Sequence, residues 1–266
     1  MAWFSLHFLS AALRQETNVN IVLPESEDGN GIAVRDLPVV YLLHGYTNNQ
    51  NRWLLDTNVH YLAKRYGLAV VMPYGGNSFY TDTVSGGSFE TYLMHELPAH
   101  LNAWFGISSE TRRAYIAGNS MGAIGAMKFA LTYPQRFKAA AAFSGPLDIG
   151  FVDLAKQLDP DEATAVMHDF PDRSEWTPGG ANDPAAWLTR YKTALDKGET
   201  DPLAITVCCG TEDRLRPLSE AFVARARQIG ISLDHHESPG EHNFLYWQHA
   251  LEAWLASIFS DRLTSA

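Results

Sequence analysis

The chain is predicted to fold as an α/β protein with a mostly parallel central sheet flanked by helices. Three observations carry this. Short continuous apolar runs recur at residues 38–43, 68–72, 138–143 and 203–209, the pattern of strands buried on both faces. Segments with helical spacing alternate with them, which favours parallel strands joined by crossover helices. A Gly118-Asn119-Ser120-Met121-Gly122 stretch lies between one further apolar run and an apolar helical segment. That context holds a serine on a tight, strained turn with its hydroxyl exposed.

Taken in order, residues 1–8 and 18–23 read as two strands, an antiparallel pair at one sheet edge. Residues 25–31 form a polar turn. The strand at 38–43 ends in His44-Gly45-Tyr46. A helix is expected over 53–66, with Leu54, Leu55, Val59, Leu62 and Ala63 at near-helical spacing and Gly67 closing it. The strand at 68–72 follows, and the glycine-rich stretch 74–88 is a loop. A helix over 89–105 should kink at Pro98. The strand and helix around Ser120 run to Tyr133, where Pro134 stops them. The alternation lapses over 147–201, a charged stretch read as two or three short helices inserted above the sheet. It resumes with strands at 203–209 and 231–236, a helix at 217–229 and a last amphipathic helix at 244–259. With no repeat or linker, one domain spanning 1–266 with a small helical cap insertion at about 147–201 is the simplest account.

Composition narrows the partners. A formal charge of −10 argues against nucleic acid or an anionic membrane surface, both of which call for basic patches. The two cysteines, Cys208 and Cys209, are adjacent within an apolar run and are expected buried and reduced. The apolar N-terminus lacks the basic start of a signal peptide and is broken by His7, so it is read as a strand and the compartment as cytoplasmic. No stretch approaches the length that spans a bilayer. An exposed edge strand or apolar helix face leaves room for a homo-oligomer.

In open parallel sheets the working residues sit just past the carboxyl ends of strands. That rule selects Ser120, then Asp213 in Gly210-Thr211-Glu212-Asp213, then His242 in Pro239-Gly240-Glu241-His242. The chain order Ser…Asp…His is the one used by the α/β-hydrolase fold. A serine hydroxyl needs a base to take its proton as it attacks. An imidazole suits that task, and a carboxylate fixes its tautomer and stabilises the imidazolium that forms. Glu212 is an alternative acid, with Asp234 and Asp148 as weaker rivals. His95, His235, His236 and His249 are read as packing or surface residues. The backbone N–H groups of Met121 and Tyr46 are the candidate oxyanion hole, with Gly45 allowing the tight turn. The glycines at 118 and 122 are expected to let strand and helix approach closely.

The run Tyr41-Leu42-Leu43-His44-Gly45-Tyr46 with Trp53, then Tyr92…Glu96-Leu97-Pro98, then Gly118-Asn119-Ser120-Met121-Gly122, Gly210-Thr211-Glu212-Asp213 and His242 before Tyr246-Trp247, resembles the esterase D superfamily over nearly the whole chain. Within it the sequence is most similar to the bacterial tributyrin esterases, which are short-chain carboxylesterases. The resemblance implies an α/β-hydrolase fold, no metal or organic cofactor, a small-molecule ester substrate, and triad roles for Ser120, Asp213 and His242. Asn119, where histidine is commoner, and Gly-Glu-His-Asn around His242 depart from the pattern without touching a triad position. Three alternatives stay open: an S-formylglutathione hydrolase-type thioesterase, a feruloyl or acetyl-xylan esterase, and a non-catalytic α/β-hydrolase binding scaffold. The first would favour basic residues at the pocket mouth, and the sequence alone places none there. For the second, Phe79, Tyr80 and Trp176 are expected to be exposed for stacking on a sugar or phenol. Phe151, Phe170, Trp176 and Trp187 are expected either to roof an acyl pocket or to form a small core of the insertion's own.

Overall fold

A computed structural model describes residues 1–25, 33–83, 86–107, 114–151 and 176–262. The expected polar turn lies almost wholly outside them, as do residues 152–175 of the expected insertion, Phe170 among them. The edge pair is β1 (Ala2–Ser10) and β2 (Gln15–Leu23), antiparallel and in register from Ala2↔Leu23 to Ser10↔Gln15. Then come β3 (Val39–Leu43), α1 (Arg52–Asp56), α2 (Val59–Tyr66) and β4 (Ala69–Pro73). A two-strand ladder, β5 (Asp82–Thr83) with β6 (Gly87–Ser88), lies inside the glycine-rich loop. It leads into α3 (Phe89–Thr91), a π-helical turn (Tyr92–Glu96) and α4 (Leu97–Phe105). The remaining elements are β7 (Ala114–Asn119), α5 (Met121–Thr132), β8 (Phe137–Phe143), α6 (Pro184–Asp196), β9 (Ala204–Gly210), α7 (Arg216–Gln228), β10 (Asp234–Ser238) and α8 (Phe244–Phe259).

Eight strands form one sheet in the order β1-β2-β4-β3-β7-β8-β9-β10. Pairing from β4 through β10 is parallel, and β2 meets β4 antiparallel. The period-2 alternation of strands splits each apolar run between two cores. Val39, Tyr41 and Leu43 face one side with Ile116, Ile124, Phe129 and Trp187, whereas Val40 and Leu42 face the other with Trp53, Leu62, Trp254 and Phe259. Both faces are therefore sealed, and the carboxyl ends of β3, β7, β8 and β9 open onto one edge. Among the described residues no helix is long and apolar enough to cross a membrane.

Four local expectations need correction. The single helix over 53–66 is two, because Thr57 leaves helical geometry (φ −137°, ψ 170°). Its hydroxyl donates to the Trp53 carbonyl and accepts the Val59 N–H, so one side chain ends α1 and starts α2. The helical run over 89–105 carries a π turn just ahead of Pro98. Pro98 has no N–H to offer the preceding turn, and the Arg136 guanidinium donates to the Met94 carbonyl there. The last strand begins at Asp234 rather than 231, since Ile231 is drawn into the core and its N–H caps α7 at the Ala226 carbonyl.

Finally, Phe79, Tyr80 and Trp176 are buried. Phe79 and Tyr80 adopt left-handed backbone angles (φ 49° and 58°) that turn both rings inward. Gly75 and Gly125 leave room for the Tyr80 ring, from which an added Cβ would lie 2.5 Å and 2.6 Å away. Phe151 and Trp176 each pack against Phe79, with ring centroids 5.9 Å apart. With Trp187 they join the main core instead of a separate one.

Candidate active site

The elbow at Ser120 is built by close approach. A Cβ at Gly118 would sit 2.2 Å from the Gly122 carbonyl oxygen, and one at Gly122 would sit 2.2 Å from the Leu43 oxygen. Only glycine lets β7, α5 and the end of β3 meet this tightly. Ser120 takes φ 55° and ψ −120°, a strained setting for a residue with a side chain. Its own N–H is held by the Phe143 carbonyl at 2.9 Å, which ties the elbow to β8.

The structure brings the three residues selected from the sequence together. Ser120 Oγ lies 3.0 Å from His242 Nε2, and His242 Nδ1 lies 2.8 Å from Asp213 Oδ2. The buried carboxylate accepts from Nδ1–H, which leaves the Nε2 lone pair facing the serine hydroxyl. The Asp213 side chain is sealed from solvent, whereas 25% of the His242 side chain is exposed. Burial pushes the Asp213 carboxyl upward. The His242 hydrogen bond and charge, the Ser144 hydroxyl and the Leu215 N–H (2.8 Å) together outweigh it and hold the group below the usual carboxylate range.

The rival acids are elsewhere engaged. Glu212 is exposed, accepts from Thr211 Oγ1 at 2.8 Å, and takes the Gly240 N–H. It fastens the loop that carries His242, and the reciprocal Glu212 N–H to Gly240 carbonyl bond (3.1 Å) completes the clasp. Gly210 fits under this loop because an added Cβ would come within 2.1 Å of the Gly240 oxygen. Asp234 is exposed at the start of β10, and Asp148 accepts the Gly150 N–H at 2.7 Å. His95 is exposed and packs edge-on against Tyr133, and His236 on β10 and His249 on α8 line a pocket between those two elements. Cys208 and Cys209 are buried free thiols, and burial pushes each up to about 12.

The loop after β3 lies against the elbow, since a Cβ on Gly45 would stand 3.3 Å from Ser120 Cβ. His44 locks that loop from beneath. Its Nε2 accepts the Gly75 N–H at 2.8 Å, so Nδ1 carries the proton and donates to the Gly45 carbonyl, also at 2.8 Å. Burial lowers its pKa from 6.5 to about 4, only partly opposed by the bond to Gly45. The Trp53 indole N–H donates to the Leu43 carbonyl at 3.0 Å and steadies the strand end below. Met121 begins α5, so its N–H stands at the positive end of that helix beside Ser120.

Three features were not read from the sequence. Arg52, Asn48, Asp56, Asn243, Phe244 and Gln248 line an open cleft of about 540 Å³ that reaches His242. Arg52 stacks over Phe244 (5.4 Å) and pairs with Asp56, so a cation does stand near the site. Asn119 is fully buried beside the serine, and neither of its amide atoms has a hydrogen-bond partner among the described residues. Ser144 directly follows β8, and its hydroxyl accepts the Trp247 indole N–H at 3.0 Å. The rule that selected residues past strand ends would have reached Ser144 had it been applied to β8. Among the described residues no group of three or more His, Cys, Asp or Glu side chains converges as metal ligands would.

Known proteins share this arrangement of elements. The chain is 28% identical over 255 residues to an acetyl esterase of Caldicellulosiruptor saccharolyticus, covering 93% of this chain and 94% of that protein. An S-formylglutathione hydrolase (FrmB) from Staphylococcus aureus superposes with a TM-score of 0.82 at 24% identity, covering 97% of this chain and 98% of the other. A ferulic acid esterase superposes with a TM-score of 0.77 at 22% identity and the same coverage. At those identities the two structures establish the shared α/β-hydrolase fold alone. The model of the Esterase family, described as "Putative esterase", matches residues 10–258. The chain is a member of that family and, with it, an ester hydrolase.

Proposed function

We propose that this chain hydrolyses short-chain carboxylic esters through an acyl-serine intermediate. The observation that carries the reading is the continuous contact from Asp213 through His242 to Ser120, set on the strained elbow. In it, Ser120 Oγ bonds to the ester carbonyl carbon while His242 Nε2 takes the hydroxyl proton. The N–H groups of Tyr46 and Met121 receive the oxyanion. His242 then returns the proton to the departing alcohol, and water enters by the same route to release the acid. Asp213 stays ionised and keeps Nδ1 protonated.

The packing supports a small acyl group. The Tyr46 ring lies against Phe79, with centroids 5.9 Å apart, and Phe79 in turn meets Phe151 and Trp176, so aromatic side chains crowd the oxyanion loop. A second reading, a thioesterase for an anionic substrate of the S-formylglutathione type, is favoured by one observation: Arg52 in the cleft beside His242. The test is a p-nitrophenyl ester series from acetate to laurate, with S-formylglutathione alongside, on wild type and Arg52→Ala. The first reading expects acetate and butyrate to be turned over, laurate to fail, and Arg52→Ala to change neither short ester by more than about threefold, as for a group outside the reacting atoms. A thioester rate far above every oxygen ester, lost in Arg52→Ala, would overturn it in favour of the second.

A further inference from the structure

We infer that Ser144 and Trp247 form a positioning pair that holds the Asp213 carboxylate against His242. The inference rests on the proposed triad, and it adds two residues behind it. Ser144 is completely buried at the carboxyl end of β8, and its N–H is fixed by the Cys208 carbonyl at 2.8 Å. It sits at φ 53°, in the left-handed region that a serine occupies only when its surroundings compel it. That backbone turn delivers its hydroxyl to the Asp213 carboxylate.

A hydroxyl has one proton, and its rotor is free unless an acceptor lone pair is already engaged. The Trp247 indole N–H, 3.0 Å away, engages it and leaves the Ser144 proton for the carboxylate. Trp247 also stands perpendicular to the imidazole of His242, at 5.0 Å and 90° between rings. One indole thus orients the hydroxyl behind the acid and walls the base in front of it. The Asp213 side chain has no exposed surface, so bulk solvent does not share in holding the carboxylate and its orientation depends on its protein partners. Without the hydroxyl, the carboxylate would keep only the Leu215 N–H on one oxygen and the His242 Nδ1–H on the other, and its hold on the imidazole would loosen.

Two variants separate positioning from folding. Ser144→Ala removes the hydroxyl, and Ser144→Gly removes it while relieving the left-handed backbone. Both should lower kcat for p-nitrophenyl acetate by about 10- to 100-fold, the range for losing a hydrogen bond to a charged group. KM should stay within about twofold, and Ser144→Gly, which relieves the left-handed backbone, should have a higher thermal midpoint than Ser144→Ala. Trp247→Phe, which keeps the ring wall and removes the N–H, should lose less than Ser144→Ala and add nothing to it. In an Asp213→Asn background Ser144→Gly should cost nothing further, as expected of residues acting through one another. Folded variants with kcat within about threefold of wild type would overturn the pair, as would equal losses with and without Asp213. Failure of the triad itself would show separately, as full activity in Asp213→Asn alone.

Discussion

Acidification should strike the loop after β3 through His44. Both ring nitrogens are committed, Nδ1–H to the Gly45 carbonyl and Nε2 to the Gly75 N–H, each at 2.8 Å. Protonating Nε2 would place a charge in a fully buried site and set two N–H groups against each other. The folded protein therefore holds this imidazole neutral, with a pKa lowered from 6.5 to about 4 mainly by burial. The sign follows from linkage. The contribution is fully present above the unfolded value, is lost as pH falls from about 6.5 toward 4, and is constant below that. At 1.36 kcal/mol per pKa unit, the loss is about 3 kcal/mol. Urea unfolding from pH 8 to pH 4, for wild type and His44→Gln, isolates it from the carboxylates that titrate in both proteins. Wild type should lose about 3 kcal/mol more than the variant across this window. Parallel pH profiles for the two proteins would refute a neutral, doubly bonded His44.

Two further substitutions test the packing that carries the site. Gly122→Ala would drive a Cβ to 2.2 Å from the Leu43 oxygen and 2.8 Å from the His44 oxygen, both backbone atoms with nowhere to go. It should destabilise by at least about 1–3 kcal/mol and abolish esterase activity; a stable, active variant would show that strand and helix need not approach so closely. Lys128 on α5 is buried against Glu90 at 2.6 Å, and Glu90 also accepts from the Tyr133 hydroxyl at 2.8 Å. Lys128→Met leaves that carboxylate without its cation and should cost about 3–5 kcal/mol by denaturant midpoint, whereas a double change with Glu90→Gln should recover part of it.

Much of this arrangement was legible in the sequence because burial on two faces writes a continuous apolar run. Val39–Leu43 and Ala204–Gly210 are read for that reason, and the residues just past such runs are where Ser120 and Asp213 lie. Periodicity was blind to events settled by a single side chain or by tertiary contact. The apolar spacing of 53–66 continues across Thr57, so the hydroxyl that splits the helix leaves no trace in it. β10 is a polar edge strand whose position is set by pairing with β9, from Asp234↔Thr206 to Ser238↔Gly210. The aromatics of the glycine-rich loop suggested an exposed platform. Instead, left-handed turns at Phe79 and Tyr80 fold them into the core. Arg52 reaches the cleft beside His242 only because α1 and the start of α8 meet there, a proximity of residues nearly two hundred positions apart.

The central claim is that Ser120 carries the acyl group. It is tested most directly by trapping: wild type is reacted with a fluorophosphonate, and the modified peptide is mapped by mass spectrometry. The account predicts one adduct per chain, located on Ser120, and none on Ser120→Ala, which should also lose about 10⁶-fold in ester turnover. An adduct on another residue, or esterase activity that survives Ser120→Ala, would contradict it.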